Sequence, residues 1–249
     1  TWIDLILKEC IPNNKFKNIY IFSDSLPKKN YKRVIFFKTQ KINYNFVNKN
    51  IDINQCFFLS FGSPWIFEKK FLSSLSQPIY NIHQSPLPKF KGSIASYVIL
   101  FNLRALQTSI HLVNEKIDDG EIVYERDIYI SDNLKTPLEI NNYIQSENRK
   151  MLLEFLNHIS KLKNIPLARK QNTFFSSYLP RLNSNINGWI DWSMSVEQID
   201  RFIRSFDEPY EGAKTKINGI TVSIKNISFS NEDASIHPFT NGIILRKFK

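Results

Sequence analysis

An α/β fold with a mainly parallel sheet in the N-terminal part, followed by a smaller α+β part containing a β-hairpin, is the class this sequence predicts. Three observations carry the expectation. Short apolar runs alternate with amphipathic segments as far as Leu162, the pattern of strands linked by crossover helices. Thr136-Pro137-Leu138-Glu139 is a capping box with Pro at the first helical position, which starts a helix. Lys214–Ile217, Asn218-Gly219 and Ile220–Ile224 read as strand, two-residue turn and strand, a strong short-range hairpin signal.

The elements follow in order. Thr1–Ile11 reads as a helix with Trp2, Leu5, Ile6 and Cys10 on one face. Asn18–Phe22, Arg33–Phe37 and Cys56–Ser60 are short apolar strands separated by polar, turn-rich stretches. Ile79–His83 is a further strand that ends in the Pro-bracketed loop Ser85–Lys91. A helix over Ile94–Phe101 follows Gly92, and strands Thr108–Val113 and Ile122–Ile130 flank the turn Asp118-Asp119-Gly120. Ile140, Ile144, Met151, Phe155 and Ile159 give the helix that opens at Thr136 one apolar face, as far as Leu162. Beyond Ile165 the texture changes. Thr173–Tyr178 reads as a strand and Arg181–Gly188 as a polar loop. Trp189-Ile190-Asp191-Trp192 leads into a second capping box, Ser195-Val196-Glu197-Gln198, and a helix carrying Ile199, Phe202, Ile203 and Phe206 on one face. These features divide the chain into residues 1–165 and 166–249.

Bulk properties narrow the class. The chain has 249 residues, 42% hydrophobic and 22% charged, ordinary for a folded domain with a sizeable core. No apolar run approaches the roughly 20 residues that span a bilayer, and the start has no signal-peptide pattern. Cys10 and Cys56 lack metal-type spacing and read as thiols in a reducing compartment, so a cytoplasmic protein is expected. The net charge is +10, but Lys15, Lys17, Lys28, Lys29, Lys32 and Lys38 are scattered. That describes a solvated basic surface better than a nucleic-acid platform.

Chemistry concentrates between residues 81 and 120. Asn81 and His83 stand two apart on a strand and so share a face. An imidazole can accept a proton from an attacking amine near neutral pH and return it to a departing nitrogen. The amide of Asn81 can donate to a carbonyl oxygen as it gains charge. Asp119, in the second turn, is expected to close on His83, orient it and favour its charged form. Taken singly, a histidine beside a loop is more often structural than catalytic. No His/Cys/Asp grouping has zinc spacing and no Gly-rich phosphate loop is present.

These residues resemble the folate-dependent formyltransferase family. Its motif runs Asn-x-His, a Ser-Leu-Leu-Pro-like loop, a basic residue with Gly, and later Asp-x-Gly. The sequence reads Asn81-Ile82-His83-Gln84-Ser85-Pro86-Leu87-Pro88-Lys89-Phe90-Lys91-Gly92, with Pro86 in place of the usual Leu. Thr108-Ser109-Ile110-His111 and Asp118-Asp119-Gly120-Glu121-Ile122 also stand where the family has its own segments. The resemblance covers most of the chain. It implies a Rossmann-like sheet, catalytic roles for Asn81, His83 and Asp119, and metal-free transfer of a formyl group from N10-formyltetrahydrofolate to a primary amine. By the same resemblance, Phe61, Gly62, Trp65, Ile66, Glu115, Lys116, Ile117 and Asp118 would line the folate slot, while Ser85 and Lys91 would reach the acceptor. Packing alone would also account for Phe61, Trp65 and Phe67. His111 falls on a position taken as structural in the family, and His158 and His237 read as surface residues.

The acceptor is implied by the C-terminal half. Tyr178-Leu179-Pro180-Arg181, Gly188-Trp189-Ile190-Asp191-Trp192 and the run Arg201 to Ala213 look like the sugar N-formyltransferase branch. That branch acts on nucleotide-linked, often dTDP-linked, amino sugars bound for surface glycans such as the O-antigen of lipopolysaccharide. Arg181, Arg204, Tyr178 and Tyr210 would supply cations and flat surfaces for the nucleotide, and residues 166–249 are a candidate homodimer interface. Methionyl-tRNA formyltransferase is the rival reading. It shares the core but carries a larger C-terminal domain for tRNA, and no dense Lys/Arg stripe marks one here. A glycinamide ribonucleotide formyltransferase would lack most of this segment. A catalytically idle sugar-nucleotide binding module would have no use for the proton shuttle. The sequence opens without Met, in helix-like residues, whereas the family begins with a central strand, so a leading segment is expected ahead of Thr1.

Overall fold

A computed structural model describes residues 18–23, 34–53, 56–63, 65–162 and 167–228. The expected helix over residues 1–11, with Cys10, and His237 lie outside them. The described residues fall into two compact units. The first draws on Thr1–Ile94, Ala105–Ile130 and Asn142–Pro180, the second on Ala95–Arg104, Ser131–Asn141 and Arg181–Lys249.

In the first unit the apolar runs become strands because β-branched and aromatic side chains pack well on a pleated surface. β1 (Ile19–Ser23) and β2 (Val34–Lys38) pair in parallel. α1 (Tyr44–Asn50) follows, capped by the Asn43 side chain, which accepts from the Phe46 N–H at 3.0 Å. β3 (Phe58–Ser60) and β4 (Ile79–His83) pair in parallel, with the short α2 (Lys69–Ser73) between them. β6 (Ala105–Leu112) runs antiparallel to both β4 and β7 (Ile122–Tyr129), giving the order β3-β4-β6-β7. The sheet is therefore mixed. The connection from β6 to β7 is too short for a crossover helix, which forces that pair antiparallel.

Alternation along β4 divides its side chains between two jobs. Tyr80 and Ile82 join Ile110, Val123, Met151, Leu152 and Phe155 in a core between the sheet and α4 (Pro137–Leu162). Asn81 and His83 point to the other face. The capping box at the start of α4 forms as read: Thr136 Oγ1 accepts from the Glu139 N–H at 3.2 Å, and Glu139 Oε2 from the Thr136 N–H at 3.0 Å.

Residues 173–178 depart from the expected strand. Asn172 caps a 3₁₀ turn, Thr173–Phe175, by accepting from the Phe174 N–H at 3.1 Å. Such a side-chain bond competes with ladder pairing. Only β8 (Tyr178–Leu179) remains extended, and it pairs in parallel with the two-residue β5 (Lys91–Gly92).

The second unit contains α3 (Ala95–Leu100), α5 (Ser184–Asn187) and α6 (Val196–Ser205), with α3 packed on α6. It also holds the expected hairpin, β9 (Ala213–Ile217) and β10 (Ile220–Ile224), with Asn218 and Gly219 at positive φ. The Ser195/Gln198 capping box is formed on both sides. Ile203, Phe206 and Ala213 make the local core, flanked by Ile199 and Phe202. Among the described residues no helix is long and apolar enough to cross a membrane.

Candidate active site

The site is built on the polar face of β4. Asn81 and His111 are directly opposed across the β4–β6 ladder, so their side chains meet, and Asn81 Nδ2 lies 3.0 Å from His111 Nε2. A register shift between Ile110 and His111 on β6 is a bulge of the kind that re-aims a side chain beside a site. His111 Nδ1 donates to the Leu112 carbonyl at 2.8 Å; with the ring's one hydrogen on Nδ1, Nε2 accepts from Asn81.

His83 is only 6% exposed. Its Nε2 lies 2.9 Å from the Phe90 carbonyl oxygen and 2.8 Å from Ser85 Oγ, and Ser85 Oγ itself donates to the Phe90 carbonyl. A carbonyl only accepts, so Nε2 carries the hydrogen and the lone pair of the neutral ring sits on Nδ1. Nδ1 faces Asp118 Oδ2 at 3.5 Å. Burial pushes the imidazole below its usual pKa, and the Asp118 carboxylate pulls partly the other way.

The carboxylate turn is held by unusual backbone. Asp118 has φ +50°, a left-handed conformation that aspartate tolerates better than most residues. Its Oδ2 accepts from the Gly92 N–H at 3.0 Å, and its Oδ1 lies 3.7 Å from His111 Nε2. Burial alone would raise this carboxyl, but the neighbouring His111 and His83 rings and the Gly92 amide outweigh it and hold it below the usual range. Gly120 is there because the turn folds directly onto β6. A Cβ at this position would stand 1.7 Å from the Leu112 carbonyl oxygen. Replacing Gly120 with Ala should therefore cost about 3 kcal/mol of stability, since a strand backbone cannot step aside as a side chain would. A thermal unfolding midpoint equal to wild type would contradict that contact.

Several sequence expectations change. Asp119 was expected against the imidazole; Asp118 occupies that place, and Asp119 pairs with the Lys91 ammonium. The signal was in the motif itself, because Asp-x-Gly puts its aspartate two residues before the glycine, at Asp118. Lys91, expected to reach the acceptor, is buried in that ion pair, and Ser85 is fully buried against His83. Arg204 is committed to Asp200 at 2.9 Å and to the Ile227 carbonyl at 3.2 Å, which leaves little of the guanidinium for a phosphate. His111, given no chemistry from sequence, is a contact of both Asn81 and Asp118.

The remaining site residues are placed as follows. Phe61 packs against the sheet core, and Trp65 donates from its indole to the Gln40 carbonyl at 3.1 Å. Gly62, at φ +59°, has open space where a Cβ would stand, and Ile66 and Ile117 are 69% and 50% exposed. Glu115 pairs with Lys69 at 3.6 Å, and the Lys116 N–H is held by Asn114 at 3.0 Å. Tyr178 is 57% exposed and lays its ring edge 2.9 Å from where a Gly92 Cβ would be. Arg181 is exposed in the second unit, where Tyr210 is half-buried against Phe206.

Comparisons with known proteins identify the family. Residues 60–156 match the formyl transferase family model, and residues 184–248 match the formyl transferase C-terminal domain. A methionyl-tRNA formyltransferase from Clostridium perfringens is 26% identical over 193 residues, covering 77% of this chain and 60% of that protein. The chain spans 60% or less of the length of these methionyl-tRNA formyltransferase relatives. Among solved structures, an N-formyltransferase from Helicobacter canadensis, in complex with folinic acid and dTDP-3-aminofucose, superposes with a TM-score of 0.59 at 22% identity, covering 82% of this chain and 75% of that one. A methionyl-tRNA formyltransferase from Clostridium thermocellum gives 0.61 at 18% identity, with 88% and 96% covered. With both domain models matched, and with an Asn-x-His strand facing an Asp-x-Gly turn, the chain belongs to the formyl transferase family.

Proposed function

We propose that the protein is an N-formyltransferase that moves a formyl group from N10-formyltetrahydrofolate to the amine of a nucleotide-linked amino sugar, dTDP-linked in the first instance. The observation that carries formyl transfer is the meeting of Asn81, His111, Asp118 and His83 in one run of contacts, with both imidazoles buried. Open space at Gly62 and the exposed apolar side chains of Ile66 and Ile117 suit a flat heterocycle, so these residues are assigned to the folate. When bound, the co-substrate supplies the formyl carbon and departs as tetrahydrofolate.

The chain's own residues do the following. His83 Nδ1 takes the proton that the acceptor amine loses as its nitrogen bonds the formyl carbon, and later returns it to the departing nitrogen. The hydrogen on Nδ1 then faces Asp118, whose charge stabilises the imidazolium. Asn81 Nδ2 uses one hydrogen on His111 and carries a second, which is assigned to the developing oxyanion. Losing one such donor typically costs about 2.7–4 kcal/mol in barrier.

The sugar reading rests on the segments around Tyr178, Trp189 and Arg201–Ala213. Tyr178, exposed beside Gly92, offers a flat face for a base or sugar ring. The division of labour that follows gives residues 1–165 the chemistry and residues 166–249 nucleotide binding and dimer contacts, in a cytoplasmic protein serving surface-glycan synthesis. Methionyl-tRNA formyltransferase is the second reading, favoured by the curated relatives. Tetrahydrofolate release, measured with dTDP-amino sugars and with Met-tRNA as separate acceptors, decides between them. Turnover with the sugar alone is expected. Turnover with Met-tRNA alone moves the protein to the other branch, and none with either leaves a binding module.

A further inference from the structure

We infer that Gln171 is a positioning residue that locks the Asp118–Gly120 turn and thereby sets the distance between the Asp118 carboxylate and His83. Its kinetic consequence rests on the formyl-transfer reading above; its structural consequence does not.

After α4 the chain returns along the edge of the sheet. Arg169 exchanges both backbone bonds with Ile122, at 2.7 and 2.8 Å, and the Arg169 guanidinium pairs with Glu125 at 2.7 Å. This registers the segment against the first residue of β7, directly beside the carboxylate turn. Gln171 then donates from Nε2 to the Asp118 carbonyl at 3.0 Å and to the Gly120 carbonyl at 2.7 Å. An amide NH₂ has two hydrogens, so each carbonyl receives one and both ends of the turn are held by a single planar group.

The turn needs such a hold. Asp118 sits at φ +50°, a conformation that persists for a non-glycine residue only where its surroundings over-determine it. Gly92 fixes the carboxylate from one side, but nothing in that bond fixes the carbonyls. The Oε1 atom of Gln171 is buried without a partner among the described residues. Leaving a buried acceptor unmet is costly, because its lost hydration is not replaced. The side chain is thus placed for its donors, at the expense of its acceptor. Sequence reading passed over Gln171 because no spacing rule connects it to a turn fifty residues upstream.

Gln171→Met keeps the volume and removes both donors, so it is the informative substitution. The groups facing His83 are Asp118 from the turn, His111 from β6 and Lys91 from β5, and only the first is released by the change. We expect kcat to fall about a hundredfold, the scale of an ångström-sized misplacement, with KM for both substrates little changed. The acid limb of kcat/KM should move to lower pH as the imidazole loses its anion. The His83 titration followed by NMR should move the same way, which can be read among four histidines by comparison with His83→Asn. Gln171→Glu, isosteric but facing two carbonyl oxygens with a carboxylate, should be at least as damaging. Should Gln171→Met fail to fold, Gln171→Asn, which keeps the amide but shortens its reach, is the second variant, with the same movement of the His83 titration expected. Wild-type kcat and an unmoved His83 titration in a folded variant would overturn the inference. If the wild-type enzyme formylates nothing, the functional reading fails, while the NMR titration still decides Gln171.

Discussion

His83→Asn is expected to fold, to bind both substrates and to lose about 10²–10⁴-fold in turnover, the range that a positioned acid–base group contributes. The shorter amide does not reach the Phe90 carbonyl as Nε2 does now, but Ser85 Oγ keeps its own bond to that carbonyl, so the pocket has no reason to collapse. What it cannot do is accept a proton where Nδ1 now faces Asp118. A second signature separates this from a packing defect. Because burial holds the folded imidazole below its usual pKa, the unfolded chain takes up the proton first as pH falls. The sign follows: this contribution to stability is intact above about pH 6.5 and is lost as pH drops below that value. In His83→Asn the stability profile should be flatter across that window, as read from denaturant midpoints at several pH values. Turnover at the wild-type rate would remove His83 from the mechanism.

Asp118→Asn and Asp119→Asn should fail in different ways, although the residues are adjacent. Asp118→Asn removes the anion that pulls the His83 pKa upward. Turnover is expected to fall about a thousandfold, and the acid limb of kcat/KM should move to still lower pH, because a less basic imidazole stays neutral further down. Asp119→Asn instead strands Lys91. That ion pair has side chains only 10% and 18% exposed, and leaving one buried charge unpaired costs about 3–5 kcal/mol. A large drop in the melting midpoint, with the pH profile in place for whatever protein remains folded, is the expected result. Equal pH shifts in the two variants would mean that the roles assigned to the two carboxylates are wrong.

Much of this was legible in the residues. Both capping boxes, the Asn-Gly hairpin and the shared face of Asn81 and His83 formed as read, since each is decided by neighbours within a few positions. Other features were not, for definite reasons. Nothing local distinguishes Lys91-Gly92 from loop; it becomes a strand only because Tyr178-Leu179 comes to lie beside it. Polar Ser85 and Lys91 read as ligand contacts, yet each is buried by a partner that the sequence does not place next to it. Asp118 and Asp119 are chemically identical, and only the left-handed backbone at Asp118 and the close approach of Gly120 to β6 decide which one meets the ring. His111 looked inert because its opposition to Asn81 is a matter of strand register.

The pairing of β5 with β8 has a consequence for how the protein is made. Chains emerge from the ribosome N-terminus first, so the histidine and its aspartate are available long before Tyr178-Leu179 arrives to seat the Gly92 amide. A nascent polypeptide with His83 and Asp118 already translated would still lack the short splint beside Gly92 until residues 178–179 follow.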